Sequence, residues 1–165
     1  MGSGKSATGK ILAQKLDFLF IDVDKIIELD QGLQISDIFE RYGEKYFRNI
    51  ETEIITKIYQ NSCCIFACGG GVVLKDTNME TIAANSTTVY LQVSPENAFN
   101  RLKDCNDRPL LKVENIKNTI SGLILNRDIF YRKYADLIIN TDLKDPEAVS
   151  EEILLKLNVP CSKII

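Results

Sequence analysis

Gly2-Ser3-Gly4-Lys5-Ser6 opens the chain and runs directly into an amphipathic pattern over Ala7 to Leu16, with Ile11, Leu12 and Leu16 on one stripe. That order restricts what the chain can become. Glycines let backbone N–H groups turn toward phosphate oxygens, the lysine reaches the outer phosphates, and the serine hydroxyl is suited to magnesium. A helix that begins there adds its unpaired N–H groups and positive dipole end to the same anion site. The complete phosphate-loop pattern has an earlier glycine and a preceding hydrophobic strand, which here would lie before Met1. Alone, Gly2-Ser3-Gly4-Lys5 also fits a flexible surface turn; the helix behind it favours phosphate.

Further along, Phe18-Leu19-Phe20-Ile21 reads as an apolar strand ending in Asp22-Val23-Asp24. Strand alternation would put both carboxylates on one side, one toward a magnesium ion near Ser6 and the other toward a substrate hydroxyl. The bland alternative is that Asp24 caps a helix over Lys25-Ile26-Ile27-Glu28. Gln31-Gly32 marks a break, and Ile35, Ile38 and Phe39 carry a helical stripe to Gly43. Phe47, Ile50, Ile54 and Ile58 then mark a longer helix. On it, Arg48 and Glu51 are spaced for a carboxylate holding a guanidinium toward an anion, or for an ordinary solvent-exposed ion pair.

Cys63 to Cys68 is continuously apolar, as suits a parallel strand covered on both faces, and it meets Gly69-Gly70-Gly71. A triplet there permits close approach of a ligand to backbone N–H groups, at the strand end where α/β folds keep their sites; a tight turn is the alternative. Helix is expected over Thr77 to Ala84, strand over Thr87 to Val93, and helix over Pro95 to Leu102 with proline in its first turn. The polar stretch around Arg108 and Pro109 reads equally as a nucleotide lid or a surface loop. From Glu114 to Tyr134 the stripe Ile116, Ile120, Leu123, Arg127, Tyr131 and Tyr134 places a charge on an apolar face. Arg127 therefore either faces an anion in a cleft or snorkels to the surface. Ala135 to Asn140 is a last strand and Pro146 to Leu157 a last helix.

Strands alternating with helices behind a phosphate loop indicate an α/β chain built as a three-layer α/β/α sandwich with a central parallel sheet. At 165 residues the chain suits one domain. A net charge of -3 provides no basic face for nucleic acid, and no apolar run is long enough for a membrane span or a signal peptide, so a cytoplasmic protein is expected. The five cysteines, in a chain with no histidine, offer neither a disulfide framework nor zinc-ligand spacing and are expected mostly to pack as small buried hydrophobes. Without histidine, chemistry must rest on Asp, Glu, Arg and Lys. Several scattered arginines with Lys5 suit a small-molecule phosphotransferase acting on a carboxylate-bearing acceptor; the switch and guanine-specificity sequences of a GTPase are not recognisable.

The succession Gly2-Ser3-Gly4-Lys5-Ser6, Phe20-x-Asp22-x-Asp24, Ile26-Ile27-Glu28, Ile38-Phe39, Gly43-Glu44, Phe47-Arg48-x-x-Glu51, Gly69-Gly70-Gly71, Arg108-Pro109-Leu110-Leu111, Arg127 and Tyr131-x-x-x-Ala135-Asp136 resembles shikimate kinase over nearly the whole chain. The resemblance implies the P-loop, nucleoside monophosphate kinase-like fold. It also implies a short substrate-binding helical segment at about residues 25–60 and a lid at about 103–114. Gly2, Ser3, Gly4, Lys5, Ser6 and Ala7 would cradle ATP, Arg101 would lie near the adenine, and Arg108 would come from the lid onto the phosphates. Ser6 would ligate Mg2+, with Asp22 acting on the ion through water. Asp24 would orient or deprotonate the attacking hydroxyl, and Arg48 and Arg127 would clamp the acceptor carboxylate. Glu51 would steady Arg48, and Gly69 to Gly71 would line the pocket.

The implied catalytic set is Lys5, Asp24 and Arg108, in a monomer whose partner is shikimate and whose cofactors are ATP and Mg2+. Ala7 stands where the family commonly has threonine. The family's first strand would precede Met1 and lie centrally in the sheet, so the chain as given is expected to be weakly stable or weakly active. Kinases of the same fold acting on gluconate or a nucleoside monophosphate, or a nucleotide-binding remnant without catalysis, are the rival readings.

Overall fold

The computed structural model describes residues 1–58, 63–103 and 115–158. Most of the expected lid at 103–114, with Arg108, lies outside the described residues, as do Cys105 and Cys161. Helices and strands alternate from the start: α1 (Lys5–Leu16), β1 (Leu19–Asp22), α2 (Val23–Gln31), α3 (Ile35–Ile58), β2 (Cys64–Ala67), a 3-10 turn (Val72–Leu74) and α4 (Asp76–Asn85). They are followed by β3 (Val89–Gln92), α5 (Pro95–Leu102), α6 (Ile116–Tyr134), β4 (Leu137–Asn140) and α7 (Pro146–Lys156).

The strands are parallel and fall into two pairs among the described residues. Leu19 to Asp22 lie opposite Cys64 to Ala67, and Val89 to Gln92 opposite Leu137 to Asn140. Among the described residues no ladder joins one pair to the other. The expected α/β class with a parallel sheet flanked by helices is what the structure has. Helices cover the parallel layer: α1 and α7 pack together, and Leu12, Val149 and Ile153 close over the strand residues Ile65, Leu91 and Ile139.

Pairing in register brings equivalent strand ends together. Asp22 is level with Ala67, so whatever follows β1 meets whatever follows β2: Asp24 on one side and the glycine triplet on the other. Likewise Gln92 is level with Asn140, and Thr141 bonds back to the Gln92 carbonyl through both its N–H and its hydroxyl. Ligand sites in open α/β layers lie at these carboxyl ends.

The largest core cluster joins Val23 and Ile27 of α2 to Ile38, Phe47, Ile50, Ile54 and Ile55 of α3, closing over Val72, Val73, Met79 and Ile82. Burying each such side chain contributes about 1.5–3 kcal/mol. α3 is interrupted at Gly43, whose φ of 79° and ψ of 171° are not helical, so the stripe before it and the stripe after it are set on different axes. This is the break that the sequence places near Gly43. A third cluster holds Met1 against Val93, Ala98, Leu102 and Ile120, tying the start of the chain to α5 and α6.

Two expectations are corrected. β1 ends at Asp22, and Val23 already opens α2, so Asp22 and Asp24 are not alternating strand residues. Asp22, still extended at φ -92° and ψ 111°, occupies the cap position of α2, while Asp24 stands in its first turn. Nor are the three described cysteines deeply buried: Cys63 is exposed, and Cys64 and Cys68 are partly so.

Candidate active site

α1 begins without any side-chain cap. Gly4 occupies the cap position in the left-handed region, at φ 84°, and no acidic residue stands in the first turn. Ser94, Asn115 and Asp145 cap α5, α6 and α7 by accepting a backbone N–H from the turn they precede, whereas α2 and α4, like α1, have no side-chain cap. What sets α1 apart is the left-handed glycine before it and the lysine at its first position: its first-turn N–H groups form a cradle for an anion, with Lys5 half-buried and Ala7 exposed.

Asp22 likewise forgoes capping α2. Its Oδ2 accepts the Ser6 hydroxyl at 2.8 Å, while its Oδ1 is buried with no hydrogen-bond partner among the described residues. A buried carboxylate oxygen left over beside a hydroxyl at a phosphate cradle is the donor set a hard divalent ion prefers, since Mg2+ takes one or two protein oxygens and completes its shell with water and phosphate. The residues fit such an ion. No group of three or more acidic, cysteine or histidine side chains competes for that role among the described residues.

Arg101 reaches back from α5 to the loop. Its Nη1 donates to the Gly2 carbonyl at 3.1 Å and to Thr141 Oγ1 at 3.2 Å, and its Nη2 donates to the Thr141 carbonyl at 2.7 Å. The guanidinium is thus a clasp between the phosphate loop and the end of β4.

The glycine triplet is where the remaining predicted residues meet, each glycine against a different side chain. A Cβ on Gly69 would lie 2.7 Å from Asp24 Oδ1 and 3.2 Å from Glu51 Oε1. On Gly70 it would lie 3.3 Å from Tyr131 Oη, 3.7 Å from Arg127 Nη1 and 3.7 Å from the Met1 nitrogen. On Gly71 it would collide with the guanidinium of Arg48, 2.1 Å from Nη2. Lack of a side chain is needed here to admit the protein's own charged groups, and the Met1 nitrogen brings the start of the phosphate loop to the same spot.

Arg48 is held from two sides. Its Nη1 donates to Glu51 Oε2 at 2.8 Å, and its Nε and Nη2 both donate to Glu44 Oε1, at 3.2 and 3.0 Å. Each Nη therefore keeps one further N–H, enough to receive a carboxylate. Glu51 is fully buried, which removes the solvent-exposed ion pair from consideration. Burial pushes its carboxyl above the usual range; Arg48 opposes that, and the nearby Asp24 charge adds to it. Its Oε1 has no hydrogen-bond partner among the described residues.

Arg127 is 7 % exposed and does not snorkel. Its Nη1 donates to the Gly70 carbonyl at 3.2 Å, and the Tyr131 hydroxyl, one helical turn further along α6, donates to the same oxygen. Sequence reasoning gave no role to that hydroxyl, to Glu44 or to Thr141. Glu44 was visible at helical spacing before Arg48; the other two reach backbone atoms far away in the chain and leave no local signal.

Comparison with known proteins gives a consistent result. The family model described as Shikimate kinase matches residues 1–158. A shikimate kinase of Thermodesulfovibrio yellowstonii is 44% identical over 154 residues, covering 93% of this chain and 88% of the relative. One from Pseudomonas entomophila is 40% identical over 157 residues, covering 95% and 91%. Among solved structures, the Acinetobacter baumannii shikimate kinase in complex with shikimate superposes with a TM-score of 0.92 at 33% identity, covering 96% of this chain and 89% of that one. The Aquifex aeolicus enzyme gives 0.82 at 35% identity, covering 96% and 92%.

Proposed function

The chain belongs to the shikimate kinase family, and we propose that its triplet cleft is where shikimate receives the γ-phosphoryl group of ATP on its 3-hydroxyl. The activity is ATP-dependent phosphorylation of shikimate, and the roles of individual residues are our reading of the geometry. The observation that carries it is the convergence of Asp24, Arg48 and Arg127 on three consecutive glycines, next to the start of the phosphate loop.

In this reading each Nη of Arg48 keeps a donor for the acceptor's carboxylate, and Arg127, at the neighbouring glycine, supplies a second guanidinium. Holding the carboxylate at two points fixes the ring and presents one hydroxyl to the nucleotide. The hydroxyl oxygen attacks the γ-phosphorus while its proton passes to the Asp24 carboxylate; the bond from that phosphorus to the bridging oxygen breaks and ADP leaves. Glu51, buried and bound to Arg48, keeps the guanidinium from swinging away. Lys5 and the first-turn N–H groups of α1 hold the outer phosphates and carry part of their charge.

Ser6 and Asp22 are the residues that would hold magnesium. When bound, the ion neutralises negative charge on the phosphates. The clasp formed by Arg101 keeps Gly2 in place beneath them.

The test is a coupled ADP-release assay with shikimate, gluconate and nucleoside monophosphates as acceptors. Turnover with shikimate and background rates with the others are expected. Turnover with gluconate or a nucleotide in preference to shikimate would overturn the reading.

A further inference from the structure

The Gly70 carbonyl is held by two side chains at once. It receives Arg127 Nη1 at 3.2 Å and the Tyr131 hydroxyl at 2.5 Å, both from α6. Because a peptide unit is planar and trans, fixing that oxygen also fixes the Gly71 N–H on the opposite side of the same plane. Gly71 in turn abuts the Arg48 guanidinium. Glycine supplies no side chain to hold the plane, so its orientation depends on what grips the carbonyl.

Tyr131 is itself well anchored. Its ring stacks on Tyr90 with centroids 4.7 Å apart and 26° between planes. Tyr90 donates its hydroxyl to Asp128 Oδ1 at 2.9 Å, and Asp128 Oδ2 accepts Arg132 Nε at 2.6 Å. Burial pushes the Tyr131 phenol up, with Arg127 and Arg48 opposing, so the hydroxyl remains a protonated donor at neutral pH.

We propose that Tyr131 is a positioning residue for the acceptor: its hydroxyl locks the Gly70–Gly71 peptide and shares the load on the Gly70 carbonyl, so that Arg127 is oriented without being fully consumed by it. The proposal rests on the assignment of the triplet cleft as the shikimate site. Without the hydroxyl, the carbonyl turns to Arg127 for both of its bonds, and the guanidinium competes poorly for a substrate carboxylate. The loss is felt in acceptor binding and not at the nucleotide.

The experiment is steady-state kinetics of Tyr131→Phe beside the unaltered protein. As a control, Tyr134→Phe removes a hydroxyl from the same helix that donates to Asp76, away from the triplet. Tyr131→Phe is expected to raise the KM for shikimate about tenfold, as removing one buried hydrogen bond does, with the KM for ATP and the kcat little changed. Tyr134→Phe is expected to leave the KM for shikimate unaltered. Equal shikimate KM values for Tyr131→Phe and the unaltered protein, or a rise shared with Tyr134→Phe, would overturn the proposal and leave the functional assignment standing. If the unaltered protein does not phosphorylate shikimate, the assignment fails and the proposal with it. Should Tyr131→Phe not fold by circular dichroism, 3-fluorotyrosine at position 131, assayed on the acid side of neutrality where its phenol stays protonated, keeps ring and hydroxyl while strengthening the donor. A lowered shikimate KM is then expected, and an unchanged one overturns the proposal.

Discussion

Gly71 lies against the guanidinium of Arg48, so close that a methyl group there would stand 2.1 Å from Nη2 and 2.5 Å from both Cζ and Nη1. The backbone of Gly71, at φ -97° and ψ -3°, is one that any residue adopts. What the position requires is therefore space. Since the colliding atoms end a flexible side chain, Gly71→Ala is expected to push Arg48 aside without unfolding the protein. Its melting temperature should fall by several degrees, in keeping with a loss of about 1–3 kcal/mol as the buried Glu51 carboxylate loses part of its pairing, while the KM for shikimate rises at least tenfold. Unchanged KM would show that Arg48 does not touch the acceptor.

Arg127 offers the complementary case. Its guanidinium is buried beside the next glycine of the triplet and bonded to the Gly70 carbonyl. Arg127→Ala should weaken shikimate binding by about 2–5 kcal/mol, the cost of leaving a buried charge without its partner. Arg127→Lys should not restore it, because a point charge cannot reproduce a planar fork. Calorimetric titration with shikimate measures both variants. A wild-type dissociation constant for either would count against the clamp.

The 2.8 Å bond between Ser6 and Asp22, beside the buried unpaired Oδ1, predicts a different kinetic signature. Asp22→Asn should lower kcat by roughly 10–100-fold, the range seen when a group supporting a metal is altered. It should also raise the Mg2+ concentration needed for half-maximal rate, while shikimate affinity is retained. If the Mg2+ dependence does not move, Asp22 belongs to the fold and not to the ion.

Glu51 links the site to stability. Burial raises its carboxyl above the unfolded value of about 4.3, Arg48 offsetting part of the effect and Asp24 adding to it. A group whose folded value is raised contributes stability fully below its unfolded value, and that contribution is lost as pH rises through the folded value. Glu51→Gln should therefore flatten the decline of stability from about pH 4 upward, even though the variant loses the charged partner of Arg48. Urea midpoints across that range measure the slope; parallel curves for the two proteins would refute the account.

How much of this could be read from the letters depends on distance along the chain. The phosphate cradle, the Arg48 and Glu51 pair and the triplet after β2 are local patterns, and each lies where spacing put it. The Asp22 and Asp24 reading failed in its geometry because a strand ending at Asp22 turns into a helix at once, and periodicity of two cannot announce its own end. Arg127 on an apolar stripe signalled a buried charge, and the structure supplies its acceptor, the Gly70 carbonyl. The grip of Tyr131 on that same carbonyl, and of Arg101 on Gly2 and Thr141, joins side chains to backbone oxygens that lie far off in the chain. Every residue has such an oxygen, so composition and spacing carry no trace of which one is chosen.

The account stands most directly on where the phosphoryl group goes. Incubating the purified chain with Mg2+, ATP and shikimate and following phosphorus by NMR should show ADP and a phosphomonoester of shikimate rising together, the ester assigned to the 3-hydroxyl by its proton coupling, with Arg127→Ala forming neither at the same shikimate concentration. Release of inorganic phosphate with no ester, or an ester formed equally well by Arg127→Ala, would contradict it.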